Sequence, residues 1–77
     1  MIKILFFALL RDKIGKSSIE IDREEISVKE IKTYISEEYN IPSCMSMLTS
    51  INEDYATDED IVKKGDTVAL IPPVGGG

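Results

Sequence analysis

Few residues of this chain have types suited to chemistry. Its 77 residues include no His and one Cys. Cys44 has no imidazole to activate it, so it reads as a small packed or half-exposed residue and not as a nucleophile. One cysteine excludes both a disulfide core and a cysteine-based zinc site. The acids Glu53, Asp54, Asp58, Glu59 and Asp60 lack the glycine and the terminal glutamate of a calcium loop. No metal is therefore expected. That stretch reads first as a solvated face and second as a complement to a basic partner. Arg11, one of two arginines, is either a solvated turn charge or a partner for an acidic group elsewhere.

One reactive group remains, at the carboxyl end: Pro72-Pro73-Val74-Gly75-Gly76-Gly77. The two prolines fix φ near −65° and favour an extended path away from whatever precedes them. Residues 72–77 fully extended reach ~20 Å. Freezing the three glycines costs about 3–6 kcal/mol, which a domain this small does not offset locally. The segment is expected to be mobile alone and ordered only inside a partner. A frayed end is the competing reading, but the junction through Pro-Pro to an apolar strand is a poor place for one. On the functional reading the Gly77 carboxylate is the reagent. A carboxylate is inert at neutral pH until a partner converts it, with ATP, to an acyl-adenylate. A sulfur nucleophile then displaces AMP and leaves a thiocarboxylate. Side chains at 75–77 would obstruct a narrow channel, and no residue of this chain need act as acid or base.

The elements that would position this tail follow from pattern. Residues 2–10 (IKILFFALL) are apolar on both faces and predict a central strand. Its two residue sets, Leu5, Phe7 and Leu9 against Ile4, Phe6 and Ala8, would face opposite sides of a sheet. Arg11 to Ser18 reads as a turn region, and 18–22 alternate as a second strand. Ser27-Val28-Lys29-Glu30 is a capping box. The helix it opens places Val28, Ile31, Tyr34, Ile35 and Tyr39 on one face, with Lys29, Lys32 and Glu37 pointing out. Asn40 and Pro42 end it. Residues 47–52 predict a third strand, Asn52-Glu53-Asp54 a turn and Tyr55 a short return. Residues 56–63 read as an acidic connection, Lys64-Gly65-Asp66 as a tight turn and 67–71 as the last strand. Both of the most apolar strands belong in the middle of one sheet, parallel to each other across the helix. This is an α+β architecture, a ubiquitin-like β-grasp: a mixed sheet with one main helix packed across it. The expected organisation is a domain over 1–71 and a tail over 72–77. One helix leaves the second sheet surface bare, and an exposed apolar patch there reads as a binding face.

Composition narrows the class. With 43% hydrophobic and 30% charged residues, the chain is neither a disordered tail nor a fibrous repeat. It has no apolar run long enough to span a bilayer. A net charge of −5 disfavours nucleic acid and anionic membranes as partners. A chain this short hardly walls a pocket, so an active site of its own is not expected. The setting read from the sequence is cytoplasmic.

The chain resembles the small, sulfur-carrier subunits of molybdopterin synthase, the MoaD type within the MoaD/ThiS ubiquitin-like family. The likeness rests on Ile2-Lys3-Ile4-Leu5-Phe6-Phe7-Ala8, then Leu10-Arg11-Asp12 with Gly15. It continues through Ile51-Asn52 and Tyr55. Its most specific part is Lys64-Gly65-Asp66-Thr67-Val68-Ala69-Leu70-Ile71-Pro72-Pro73-Val74 before the glycines. Family members usually carry Ser, Ala or Thr where Gly75 stands, and this ending is shared with some thiamine-pathway carriers. The resemblance implies that a MoeB-type enzyme adenylates Gly77 with ATP and that a sulfur donor protein makes the thiocarboxylate. It implies that Pro73, Val74, Gly75 and Gly76 enter a channel of a MoaE-type large subunit, in a heterotetramer of two small and two large chains. Sulfur then passes to cyclic pyranopterin monophosphate. Phe7, Tyr55 and Ile71 match positions that contact partners in the family, and Arg11 joins them as a candidate. No cofactor is implied for the chain itself. Two other readings stand beside this one: a carrier for thiamine, cysteine or tRNA thiolation, and a ubiquitin-like modifier of lysines.

Overall fold

Alternate residues of two apolar strands bury completely, and the rest of the chain is arranged around them. A computed structural model describes residues 1–72; the expectations for Pro73, Val74, Gly75, Gly76 and Gly77 lie outside them. Strand β1 is Ile2–Phe6, helix α1 Ala8–Ile14, β2 Ser18–Ile21, β3 Glu25–Ser27 and helix α2 Val28–Glu38. A 3-10 turn over Pro42–Ser46 leads to β4 (Leu48–Ile51), β5 (Asp54–Ala56), β6 (Ile61–Lys63) and β7 (Thr67–Ile71). The main sheet has the order β2-β1-β7-β4-β5. Its central pair β1 and β7 is parallel, and the other pairs are antiparallel. This is the ubiquitin-like mixed sheet that the sequence predicts, with α2 across one face.

Ile2, Ile4 and Phe6 of β1 and Val68 and Leu70 of β7 are buried beneath Val28, Ile31 and Ile35 of α2. Each such side chain contributes about 1.5–3 kcal/mol relative to exposure. The capping box forms as read: the Glu30 amide donates to Ser27 Oγ at 3.1 Å and the Ser27 amide to Glu30 Oε1 at 3.2 Å. The Ser27 amide first, and then the Ser27 hydroxyl, which also donates to Oε1, hold the Glu30 carboxyl below the usual carboxylate range.

Four expectations need correction. The strand over 2–10 stops at Phe6, and the charged turn after it is α1. Ala-Leu-Leu-Arg-Asp-Lys-Ile contains several strong helix formers, and Leu10 and Ile14, one turn apart, pack on the core. Gly15 at φ 83° closes this helix, its amide donating to the Arg11 carbonyl at 2.8 Å. On α2, Tyr34 is exposed and Lys32 is the buried one. The Lys32 ammonium bonds Asp58 at 2.8 Å and the Met45 carbonyl at 3.4 Å, which offsets its loss of water. Asp58 is therefore paired, not simply solvated. Finally, the connection over 56–63 contains β6, which pairs with β3 as a small second sheet, Ile26 opposite Val62. Both of those side chains enter the core.

Cys44 is fully buried as a packing residue. Burial pushes its thiol pKa up, with Lys32 opposing. Among the described residues no helix is long and apolar enough to cross a membrane, and no group of three metal-ligating side chains comes together.

Candidate functional site

Residues paired across a sheet point to the same face, so the register alone defines the surface that α2 leaves bare. Leu5 pairs with Ala69, Ala69 with Ser50, and Ser50 with Tyr55. One step toward the exit, Ile71 pairs with Leu48, and Phe7 follows the end of β1. The result is a broad apolar surface that ends at Pro72, where β7 gives way to the tail. At its centre lies an open depression of about 490 Å³, walled by Leu5, Phe7, Ala69 and Ile71. Phe7 is 43% exposed, Leu48 56% and Tyr55 78%. Large apolar side chains this open are gathered on one surface, the kind of patch at which proteins can meet.

The sequence-derived candidates separate on this surface. Phe7 and Ile71 meet in the depression. Tyr55 shares their face from the edge strand β5. Arg11 lies elsewhere, in the last turn of α1, where its charge suits the helix C-terminus. The tail positions, Gly77 included, are not among the described residues. Leu48 and Ala69 escaped the sequence reading, while alternation along β1 puts Leu5 on the side of Phe7. The alternation of β7 back from Ile71 would have found Ala69, whereas Leu48 needs the β4–β7 register.

That register is fixed by one polar cluster at the start of β7. The Asn52 amide donates to the Thr67 carbonyl at 2.7 Å, and the Thr67 amide donates back to Asn52 Oδ1 at 3.0 Å. Asn52 Nδ2 and the Lys63 amide both donate to the Asp66 carboxylate, at 3.0 and 2.9 Å. The Lys63 amide first, and then Asn52, hold the Asp66 pKa below its ordinary value. Asn52 and Glu53 form the two-residue turn between β4 and β5, both with positive φ, 51° and 74°. Two left-handed residues in succession are the signature of the turn that matches the twist of a hairpin. Asn52 and Glu53 also border the depression.

A second, smaller hollow of about 170 Å³ lies on the other side of Pro72, between Leu9, Lys13, Ile41 and Met47. Among the described residues neither hollow brings together a nucleophile and a base. The described residues present an exposed apolar surface with Pro72 at its rim.

Relatives share this whole chain, not a fragment of it. The molybdopterin synthase sulfur carrier subunit of Dictyostelium discoideum is 38% identical over 81 aligned residues, covering 97% of this chain and 94% of that one. Among solved structures, small archaeal modifier protein 1 of Haloferax volcanii superposes with a TM-score of 0.77 at 20% identity, covering 95% of this chain and 97% of that one. A chain of the complex of subunits 1 and 2 of the molybdopterin-converting factor from Helicobacter pylori 26695 superposes with a TM-score of 0.68 at 22% identity, covering 99% of this chain and 97% of that one. At these identities the structural matches speak for the ubiquitin-like fold. The ThiS family matches residues 4–77, nearly the full length, and with the 38% identical relative this establishes that the chain belongs to the ThiS family.

Proposed function

We propose that this protein is a cytoplasmic sulfur carrier and serves as the small subunit of a molybdopterin synthase. The observation that carries the reading is the end-to-end likeness to a sulfur carrier subunit of that enzyme. The geometry supports it: an apolar face leads to Pro72, and the sequence beyond is Pro73-Val74-Gly75-Gly76-Gly77. In the proposed cycle the Gly77 carboxylate attacks the α-phosphorus of ATP on a MoeB-type enzyme and pyrophosphate leaves. Sulfide-level sulfur delivered by a donor protein then attacks the acyl carbon, the acyl-phosphate bond breaks with loss of AMP, and the thiocarboxylate remains. The bare sheet face, with Phe7, Ile71 and Tyr55, docks on a MoaE-type large subunit in a heterotetramer. Pro73 to Gly76 thread its channel, and the sulfur passes to cyclic pyranopterin monophosphate. The chain binds no cofactor in this scheme, and ATP belongs to the activating enzyme. Arg11, outside the depression, has a peripheral part at most, toward an acidic group of the same partner.

A second reading is favoured by the fold match to an archaeal modifier protein. In it the same activated carboxyl forms isopeptide bonds. Intact-mass measurement on endogenous protein separates the two. One oxygen-to-sulfur exchange at Gly77 is expected for the carrier, and covalent ladders on other proteins for the modifier. Deleting Gly77 is expected to abolish sulfur transfer with an unchanged melting temperature. Retained transfer after that deletion would refute the assignment.

A further inference from the structure

The depression on the bare sheet face carries one charge among apolar walls, two hydroxyls and the Asn52 amide. That charge is Glu53. Its backbone sits at φ 74°, in the left-handed region that costs a glutamate more than a glycine or an asparagine. The turn does not relax because Asn52, beside it, is tied by three hydrogen bonds to Asp66 and Thr67. Among the described residues no salt bridge and no side-chain hydrogen bond engages the Glu53 carboxylate. The hairpin geometry thus fixes where the Glu53 side chain leaves the turn, at the border of the depression.

We infer that Glu53 is a docking determinant, receiving a lysine or arginine of the partner that covers the Phe7–Ile71 depression. The position of the charge defines the partner. Glu53 stands near Thr67, at the start of β7, and the tail departs beyond Ile71, about 13 Å further along the strand. A partner segment lying on this face therefore places a cation at one end and an apolar side chain on Leu5, Phe7 and Ala69. It receives the tail at the other end. A cation fixed so far from the tail sets the direction of docking, as charge pairs at interfaces set register. The inference rests on the proposed docking of the large subunit to this face.

The test is the affinity of the full chain for the large subunit of its own organism, measured by calorimetry at two salt concentrations. Glu53→Gln and Glu53→Gly are expected to raise Kd about tenfold and to lose part of its salt dependence. Glu53→Gly should also melt higher than the wild type, because it relieves the left-handed backbone. Asp54→Asn is the control. Asp54 is the next carboxylate, but it pairs with Ile51, whose side chain packs on the α2 side. Its Kd should stay within about twofold of the wild type. Glu53 variants binding within about twofold of the wild type, or an Asp54→Asn loss equal to theirs, would overturn the inference and leave the carrier reading intact. No binding by the wild type would overturn both.

Discussion

Asp66 accepts from the Lys63 amide and the Asn52 side chain, and that preference for the charged form links folding to acidity. Its folded pKa lies below the ordinary value. The stability it contributes is present above the unfolded pKa and is lost as pH falls through the folded one. Glu30 acts in the same direction through Ser27. The protein is therefore expected to lose stability as pH drops below about 4. Asp66→Asn should show a shallower loss over that range in thermal melts taken at successive pH values. At this scale the sequence was partly legible. The turns expected at Asn52-Glu53-Asp54 and Lys64-Gly65-Asp66 were readable because turn chemistry is local, although Asp54 proves to be the first residue of β5. The burial of Lys32 was not. Its partner Asp58 lies 26 residues away, and helical periodicity assigns a lysine to the solvent side unless that partner is known.

Helix α2 was the most legible element, since its first turn announces itself through Ser27 and Glu30 alone. Ser27→Ala removes the hydroxyl that accepts from the Glu30 amide, leaving only the backbone half of the capping box, and is expected to cost about 1 kcal/mol. Denaturant unfolding should record that loss with the fold unchanged. Helix α1 was hidden for the opposite reason. The apolar run of β1 continues through Phe7, Ala8, Leu9 and Leu10, so no change of hydrophobicity marks the change from strand to helix. Only the spacing of Leu10 and Ile14 carries that signal, over 7 residues. Strand β6 was hidden because 3 residues have too little pattern to stand out, and its pairing with β3 is non-local.

For the molecule as a whole, the parallel centre of the sheet was legible from two apolar strands, whereas the composition of the bare face depended on register. Phe7, Ile71 and, by alternation, Leu5 could be named from the sequence, but Leu48 and Glu53 join them only once β4 is aligned on β7. The two faces make neighbouring phenylalanines opposites. Phe6 is 2% exposed beneath α2 and stacks edge-on to Tyr39, ring centres 6.4 Å apart. Phe6→Ala is expected to cost about 3–5 kcal/mol, from a total of about 4–12 kcal/mol for a chain of this size. Phe7→Ala should leave the unfolding midpoint nearly unchanged and weaken binding of the large subunit. Parallel denaturant and calorimetric titrations of the two variants check both halves of this contrast.

Strands β1 and β7 lie side by side and run the same way. Met1, whose carbonyl accepts the Gly65 amide at 2.9 Å, thus sits at the far end of the sheet from Pro72. Tension between the two ends of the polypeptide loads that central ladder sideways, all its rungs together, and cannot peel them apart one by one. A machine that hauls on the exit strand meets its strongest resistance at the outset, before any of the body unravels.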